Sequence, residues 1–244
     1  MKRYMIKFSY DGSNYNGYQK QPKLNTIQGQ IESALKYINN KRETKLVSSG
    51  RTDAYVHANN QVGHFDLDID ITEYKLKCAL NSLLPGDIYV KEAKKVKNTF
   101  HARYDVKSKE YVYLINTKEY NPVQRNYIYQ YNKPLDIEKM KEASKYFIGE
   151  HDFSSFSSNE DKKDDNTRII YNIKISEKDG IIKIRFKGSG FLKYMVRIIV
   201  GTLIEVGENK KKPIEVKKML DAKDRTKVGH TANPEGLYLD KINY

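Results

Sequence analysis

The segment from 191 to 206, FLKYMVRIIVGTLIEV, is the strongest constraint on what this chain can fold into. Wound as a helix it is apolar almost all round, and such a helix has to be buried among other elements. One narrow exception runs down it: Lys193, Arg197, Gly201 and Glu205 recur every fourth residue and share a face. That face must meet something polar, because a guanidinium buried without a partner is costly, so a carboxylate partner for Arg197 is expected. The partner can be a structural ion pair or Asp53, which the other half of the chain offers. Gly201 lets a loop approach the same face.

The rest of the sequence supplies elements to cover that helix. Residues 3–10 alternate, with Tyr4, Ile6, Phe8 and Tyr10 opposite Arg3, Lys7 and Ser9, which is a half-buried strand ended by Asp11 and Gly12. Thr26 caps a helix whose stripe is Ile27, Ile31, Ala34, Leu35 and Ile38, and a second helix runs from Thr72 to Leu84, stopped by Pro85. Short strands fall near 44–48, 61–67 and 87–96. Beyond residue 100 come a strand at 107–116, a helix from Asp136 to Phe147 closed by Gly149, and a hairpin. In the hairpin Ile169, Tyr171, Ile173 and Ile175 alternate on one side of Asp179–Gly180, and Ile182, Ile184 and Phe186 on the other. Pro213 opens a shorter helix through Leu220. The predicted class is α+β: two α/β subdomains, residues 1–103 and 104–244, with mixed, largely antiparallel sheets meeting at a central basic cleft.

Charge bears on the partner. The chain has 44 Lys and Arg against 31 Asp and Glu, a net +13, which suits a polyanion and equally suits simple solubility. The 20 tyrosines, with no tryptophan, include rings able to stack on bases. The single cysteine, Cys78, excludes an intramolecular disulfide and a multi-cysteine zinc site, and among Leu76, Ala79, Leu80 and Leu83 it reads as a small core residue. His57 and His64, seven apart and without cysteine partners, read as hydrogen-bonded or surface histidines rather than metal ligands. No secretory core or membrane-length apolar run is present, so a soluble cytoplasmic protein is expected. Ser154–Asn166 and Lys210–Lys212 read as exposed excursions. The first is compatible with an RNA-contacting loop or a plain solvated one, and its acidic stretch Glu160–Asp165 would repel phosphate.

The densest polar segment is Gly50-Arg51-Thr52-Asp53-Ala54-Tyr55-Val56-His57-Ala58. Taken alone, Thr52 and Asp53 would cap a turn. Together with YDG at 10–12, GYQ at 17–19, GRTDAYVHANNQVGHFD at 50–66, FHARYDVKSKEYVYLI at 100–115, GEHDFSSF at 149–156, GSGFLKYMVRIIVGTLIEVG at 188–207 and GLYL at 236–239, it resembles the tRNA pseudouridine synthase A family, in that family's order and across essentially the whole chain.

The resemblance implies the pseudouridine synthase fold and an isomerase that converts uridine to pseudouridine at positions 38, 39 and 40 of the tRNA anticodon arm. It also implies a homodimer needing neither metal nor organic cofactor. It makes Asp53 the catalytic aspartate, Tyr111 a substrate-contacting ring under the uracil, Arg51 the arginine linked to base flipping, and Arg197 the basic partner of the aspartate. The chain departs from the family at position 55, where Tyr stands in place of the usual Gly; a bulky side chain there excludes a positive φ unless the turn is strained. Lys91, Lys94, Lys95, Lys97, Lys107 and Lys109 are compatible with phosphate contacts and with exposed strand residues that discourage edge pairing. Two rival functions are a non-catalytic RNA-binding protein and a synthase acting on another RNA.

Overall fold

A computed structural model describes residues 1–158 and 165–244, which form two compact units: Met1–Lys107 with Tyr238–Tyr244, and Ser108–Leu237. In the first, strand β1 (Lys2–Tyr10) lies antiparallel between β3 (His57–Leu67) and β4 (Ile88–Lys95), and the two-residue β2 (Val47–Ser48) pairs with β3. The alternation holds: Tyr4, Ile6, Phe8 and Tyr10 are all buried. Helix α1 (Ile27–Ile38) starts where the Thr26 side chain accepts from the Gly29 amide, and α2 (Glu73–Leu83) where Thr72 accepts from Lys75.

The second unit is an antiparallel sheet in the order β5 (Ser108–Asn116), β9 (Ile181–Gly188), β8 (Thr167–Lys178), β7 (Gly149–Asp152), with β6 (Tyr129–Gln130) parallel to β5. The β8–β9 turn has Asp179 at φ 55° and Gly180 at φ 80°, the left-handed pair of a type I′ two-residue hairpin. Helices α3 (Ile137–Lys145), α4 (Met195–Gly207) and α5 (Glu215–Asp221) belong to this unit. The α+β class with largely antiparallel pairing is as expected.

Four details differ from the sequence reading. Strand β10 (Leu237–Asn243), which a division at 103/104 gives to the second half, pairs in parallel with β3, Tyr238 opposite His57; that long-range pairing carries residues 238–244 into the first unit. Helix α4 begins at Met195 rather than 191, because Tyr194 at its N-cap is left-handed (φ 62°), so Lys193 lies outside the helix. Ser154–Phe156 is not a solvated excursion but a 3-10 turn with Ser155 and Phe156 buried, the Phe156 ring edge-on to Phe147 at 5.0 Å. Most of the acidic stretch 160–165 lies outside the described residues. Cys78 is exposed, not core: it stands two residues from both Leu76 and Leu80, which places it on the opposite side of α2 from those two buried leucines.

Candidate active site

In the first unit the loop between β2 and β3 is fixed from several sides. At its base the Ser49 amide donates to the Val62 carbonyl, the Ser49 hydroxyl to Gln61 Oε1 at 2.6 Å, and Gln61 Nε2 to the Gly50 carbonyl. Thr52 is buried and its hydroxyl shares a 2.8 Å hydrogen bond with the Tyr10 phenol; burial pushes the Tyr10 pKa up, so that group stays a neutral hydroxyl. The Tyr18 amide donates to the Thr52 carbonyl at 3.0 Å. Two glycines admit the loop. A Cβ on Gly12 would stand 2.2 Å from the Val56 carbonyl oxygen, and one on Gly17, itself at φ 95°, 3.3 Å from the Ala54 amide nitrogen. The Gly12 amide donates to Nδ1 of the buried His57 at 3.1 Å. Asp53 is half-buried between exposed Arg51 and exposed Tyr55, and its carbonyl accepts from the Val56 amide.

Tyr55 itself has φ 65°. The left-handed turn is therefore present despite the bulky residue, and the backbone carries the strain.

In the second unit every residue of α4 is buried except Arg197 and Glu205. The polar stripe meets the segment 228–232, as the glycine implied: a Cβ on Gly201 would come within 1.9 Å of the His230 carbonyl oxygen. Arg197 holds that segment twice, its Nε donating to the Ala232 carbonyl at 2.7 Å and its own carbonyl accepting from the Ala232 amide at 3.0 Å. Its guanidinium carbon sits 5.2 Å from the centre of the Tyr194 ring, and Lys193 Nζ is at the same distance. Glu205 accepts from the His230 amide and pairs with Lys211 at 3.5 Å, while the buried Thr202 hydroxyl accepts from the Gly229 amide. Tyr111, buried in β5, meets the edge of Phe191 at 5.2 Å, with the rings at 80°.

The sequence profile of the tRNA pseudouridine synthase family matches residues 6–105 and 143–244, which between them carry the Asp53 loop and helix α4. The chain belongs to the tRNA pseudouridine synthase family. It is 46% identical over 244 residues to the tRNA pseudouridine synthase A of an Exiguobacterium species, covering 100% of this chain and 98% of that one. The enzyme of the same name from a Thermoanaerobacter species is also 46% identical, with 100% of both chains covered, and tRNA pseudouridine synthase A 1 of Bacillus cereus is 44% identical over 100% and 99%.

Within this family member, the structure groups Arg51 with Asp53 on one loop of the first unit and places Tyr111 and Arg197 in the second. Sequence reasoning missed the residues that hold the Asp53 loop, namely Tyr10, Gly12, Gly17, Tyr18 and Gln61. The YDG and GYQ motifs contain four of them, and the pairing of a tyrosine with a glycine in each was the available signal. His57 and His64 are both buried and hydrogen-bonded. His64 is buried, its Nδ1 accepts from the Ala102 amide at 3.0 Å, and His101 lies 4.9 Å from it edge-on. Among the described residues no cluster of three or more His, Cys, Asp or Glu could hold a metal, and no helix is long and apolar enough to cross a membrane. Several of the lysines have partners inside the first unit: Lys91 donates to the Asn59 carbonyl, Lys94 pairs with Glu92, and Lys95 pairs with Asp70 at 2.5 Å.

Proposed function

We propose that this chain isomerises uridine to pseudouridine in tRNA, at positions 38, 39 and 40 of the anticodon arm, with Asp53 as the catalytic carboxylate. The observation that carries the reading is the Asp53 loop. A half-buried carboxylate sits on backbone pinned by Tyr10, Gly12, Gly17 and Gln61, in a chain related along its whole length to enzymes named for this reaction.

The chemistry needs little beyond what such a loop can offer. The bond from ribose C1′ to uracil N1 breaks, the base turns, and C1′ bonds to C5. The C5 proton leaves and N1 takes one, so composition and oxidation state are unchanged. A carboxylate serves by covalent attack or by assisting elimination at the sugar. It must be ionised and oriented, and a neighbouring guanidinium does both; Arg197 is the residue the family pattern assigns to that task. A base in a stem is reached only by leaving the stack. Arg51, exposed beside Asp53, is assigned to holding the vacated position and Tyr111 to supporting the extruded ring. Action on tRNA places the protein in the cytoplasm, and the family pattern makes it a homodimer.

Release of tritium from tRNA labelled at uridine C5 tests the reaction. Asp53→Asn, which keeps the shape and removes the charge, is expected to abolish release while tRNA still binds. Undiminished turnover in that variant would remove Asp53 from its role. Mapping pseudouridine in tRNA after incubation with the protein decides the positions, and sedimentation the oligomeric state.

A further inference from the structure

Among the described residues, only two aromatic side chains stand on left-handed backbone, Tyr55 at φ 65° and Tyr194 at φ 62°. Each lies within three residues, along the chain, of a residue assigned to the reaction: Tyr55 two after Asp53, and Tyr194 three before Arg197. A bulky residue in this conformation is disfavoured and persists where the surroundings or a function hold it. For Tyr194 the surroundings are visible, since Lys193 and Arg197 both face its ring at 5.2 Å. Tyr55 has no such compensation. It is 53% exposed and, among the described residues, has no hydrogen bond, ion pair or ring contact. The loop under it is rigid, because Gly12 presses on Val56 and the Val56 amide returns to the Asp53 carbonyl. The chain therefore carries an uncovered aromatic side chain on pinned backbone at a conformational cost that glycine would avoid.

We infer that the Tyr55 ring is a stacking surface for an RNA base next to the nucleotide that reaches Asp53. This rests on the reading of the chain as a tRNA-modifying enzyme. The chemistry fits a base in particular. Arg51 and Tyr55, both exposed, flank Asp53 on one loop, and a cation with a neighbouring aromatic face is the combination that takes an unpaired nucleotide: the charge meets phosphate while the ring meets whichever base is presented. With the backbone pinned, the ordering cost that remains when the base arrives is that of the ring's own two torsions. Tyr55 is then a specificity and affinity residue, acting on KM for tRNA rather than on the bond-breaking step.

The test compares Tyr55→Leu and Tyr55→Phe with the parent chain. Both variants keep a Cβ and the same left-handed turn, so loop geometry is held constant while the π face is removed or retained. Tyr37→Leu, a similarly exposed tyrosine on α1, serves as a control. The affinity for unmodified tRNA and the KM and kcat for tritium release are measured in parallel. Tyr55→Leu is expected to weaken tRNA binding and raise KM about tenfold with kcat within about twofold, the size of one lost base–aromatic stack. Tyr55→Phe is expected to restore KM, and Tyr37→Leu to leave it in place. Equal affinity and KM in Tyr55→Leu and the parent would overturn the stacking role alone, as would an equal loss in Tyr37→Leu or no rescue by Phe. Loss of tRNA affinity confined to Tyr55→Leu, in a protein that forms no pseudouridine, would keep the stacking role and overturn the enzymatic reading.

Discussion

Replacing Gly12 by alanine tests whether backbone packing positions the Asp53 loop. The added Cβ would stand 2.2 Å from the Val56 carbonyl oxygen, 2.7 Å from its carbon and 3.0 Å from its nitrogen. Unstrained contact begins near ~3.5 Å, so the two segments must part by roughly 1 Å. Gly12 has little freedom to retreat: its amide is bound to His57 Nδ1, and the Asp11 amide before it donates to the Asp87 carbonyl. The displacement therefore falls on the 53–56 turn, which carries Asp53. Overpacking of this kind costs about 1–3 kcal/mol in stability, and a 1 Å displacement of a reacting group costs on the order of 100-fold in rate. Gly12→Ala is accordingly expected to fold, to melt several degrees lower, and to release tritium from C5-labelled tRNA with kcat down about 100-fold and tRNA affinity nearly intact. A variant with kcat within threefold of the parent and an unchanged Tm would refute the argument that this close approach sets the position of Asp53.

Other consequences are equally specific. Thr202→Val removes the acceptor of the Gly229 amide and strands a buried N–H, at a cost of about 1–3 kcal/mol in urea unfolding; a loss below the error of the fit would refute the role of that hydroxyl. Tyr55→Gly trades about 1–2 kcal/mol of left-handed strain against about 0.5–1 kcal/mol of added freedom in the unfolded chain, so a small gain in stability is expected in thermal melts, and a clear loss would contradict it. Burial, and then the Arg3 guanidinium, hold the His64 pKa down to about 4, so the unfolded chain takes the proton first and stability present above pH ~6.5 falls as pH drops towards 4, by up to about 3 kcal/mol. His64→Asn is expected to flatten that part of the melting-versus-pH curve, and curves parallel to the parent's would refute it.

What could be read in the sequence was local. The alternation of β1, the Thr26 cap and the Asp179–Gly180 hairpin each depend on residues within a few positions of one another, and each appears where the pattern puts it. Features set by distant partners were not legible. Strand β10 is only seven residues long and takes its place from β3, some 180 positions away, as when Asn60 Nδ2 donates to the Asp240 carbonyl. Tyr194 reads as a helical residue by periodicity, and its left-handed backbone shortens α4 against that pattern. The apolar neighbours of Cys78 in sequence do not share its angle around α2, so a core position does not follow from them. Asp53 stood out only through the order of motifs along the chain, since a carboxylate in a turn is ordinarily a cap.

The two units hold their proposed active residues by one device. In the first, the 50–56 loop is set by a tyrosine hydroxyl on Thr52 and by glycines 12 and 17, whose missing side chains let backbone meet backbone. In the second, the 228–236 segment is set by the Tyr113 hydroxyl on the Asn233 carbonyl at 2.6 Å and by Gly201 and Gly229 against its crossing with α4. A tyrosine tip bonded to the main chain fixes where a segment lies, and a glycine at the crossing fixes how near it comes. Neither contributes charge, yet the position of the charged groups depends on both. That dependence gives the glycines of the YDG, GYQ and MVRIIVG motifs a task in holding the polar residues of the site. It also means that adding one methyl group at Gly12 or Gly201 tests the geometry of the site without altering a single ionisable group.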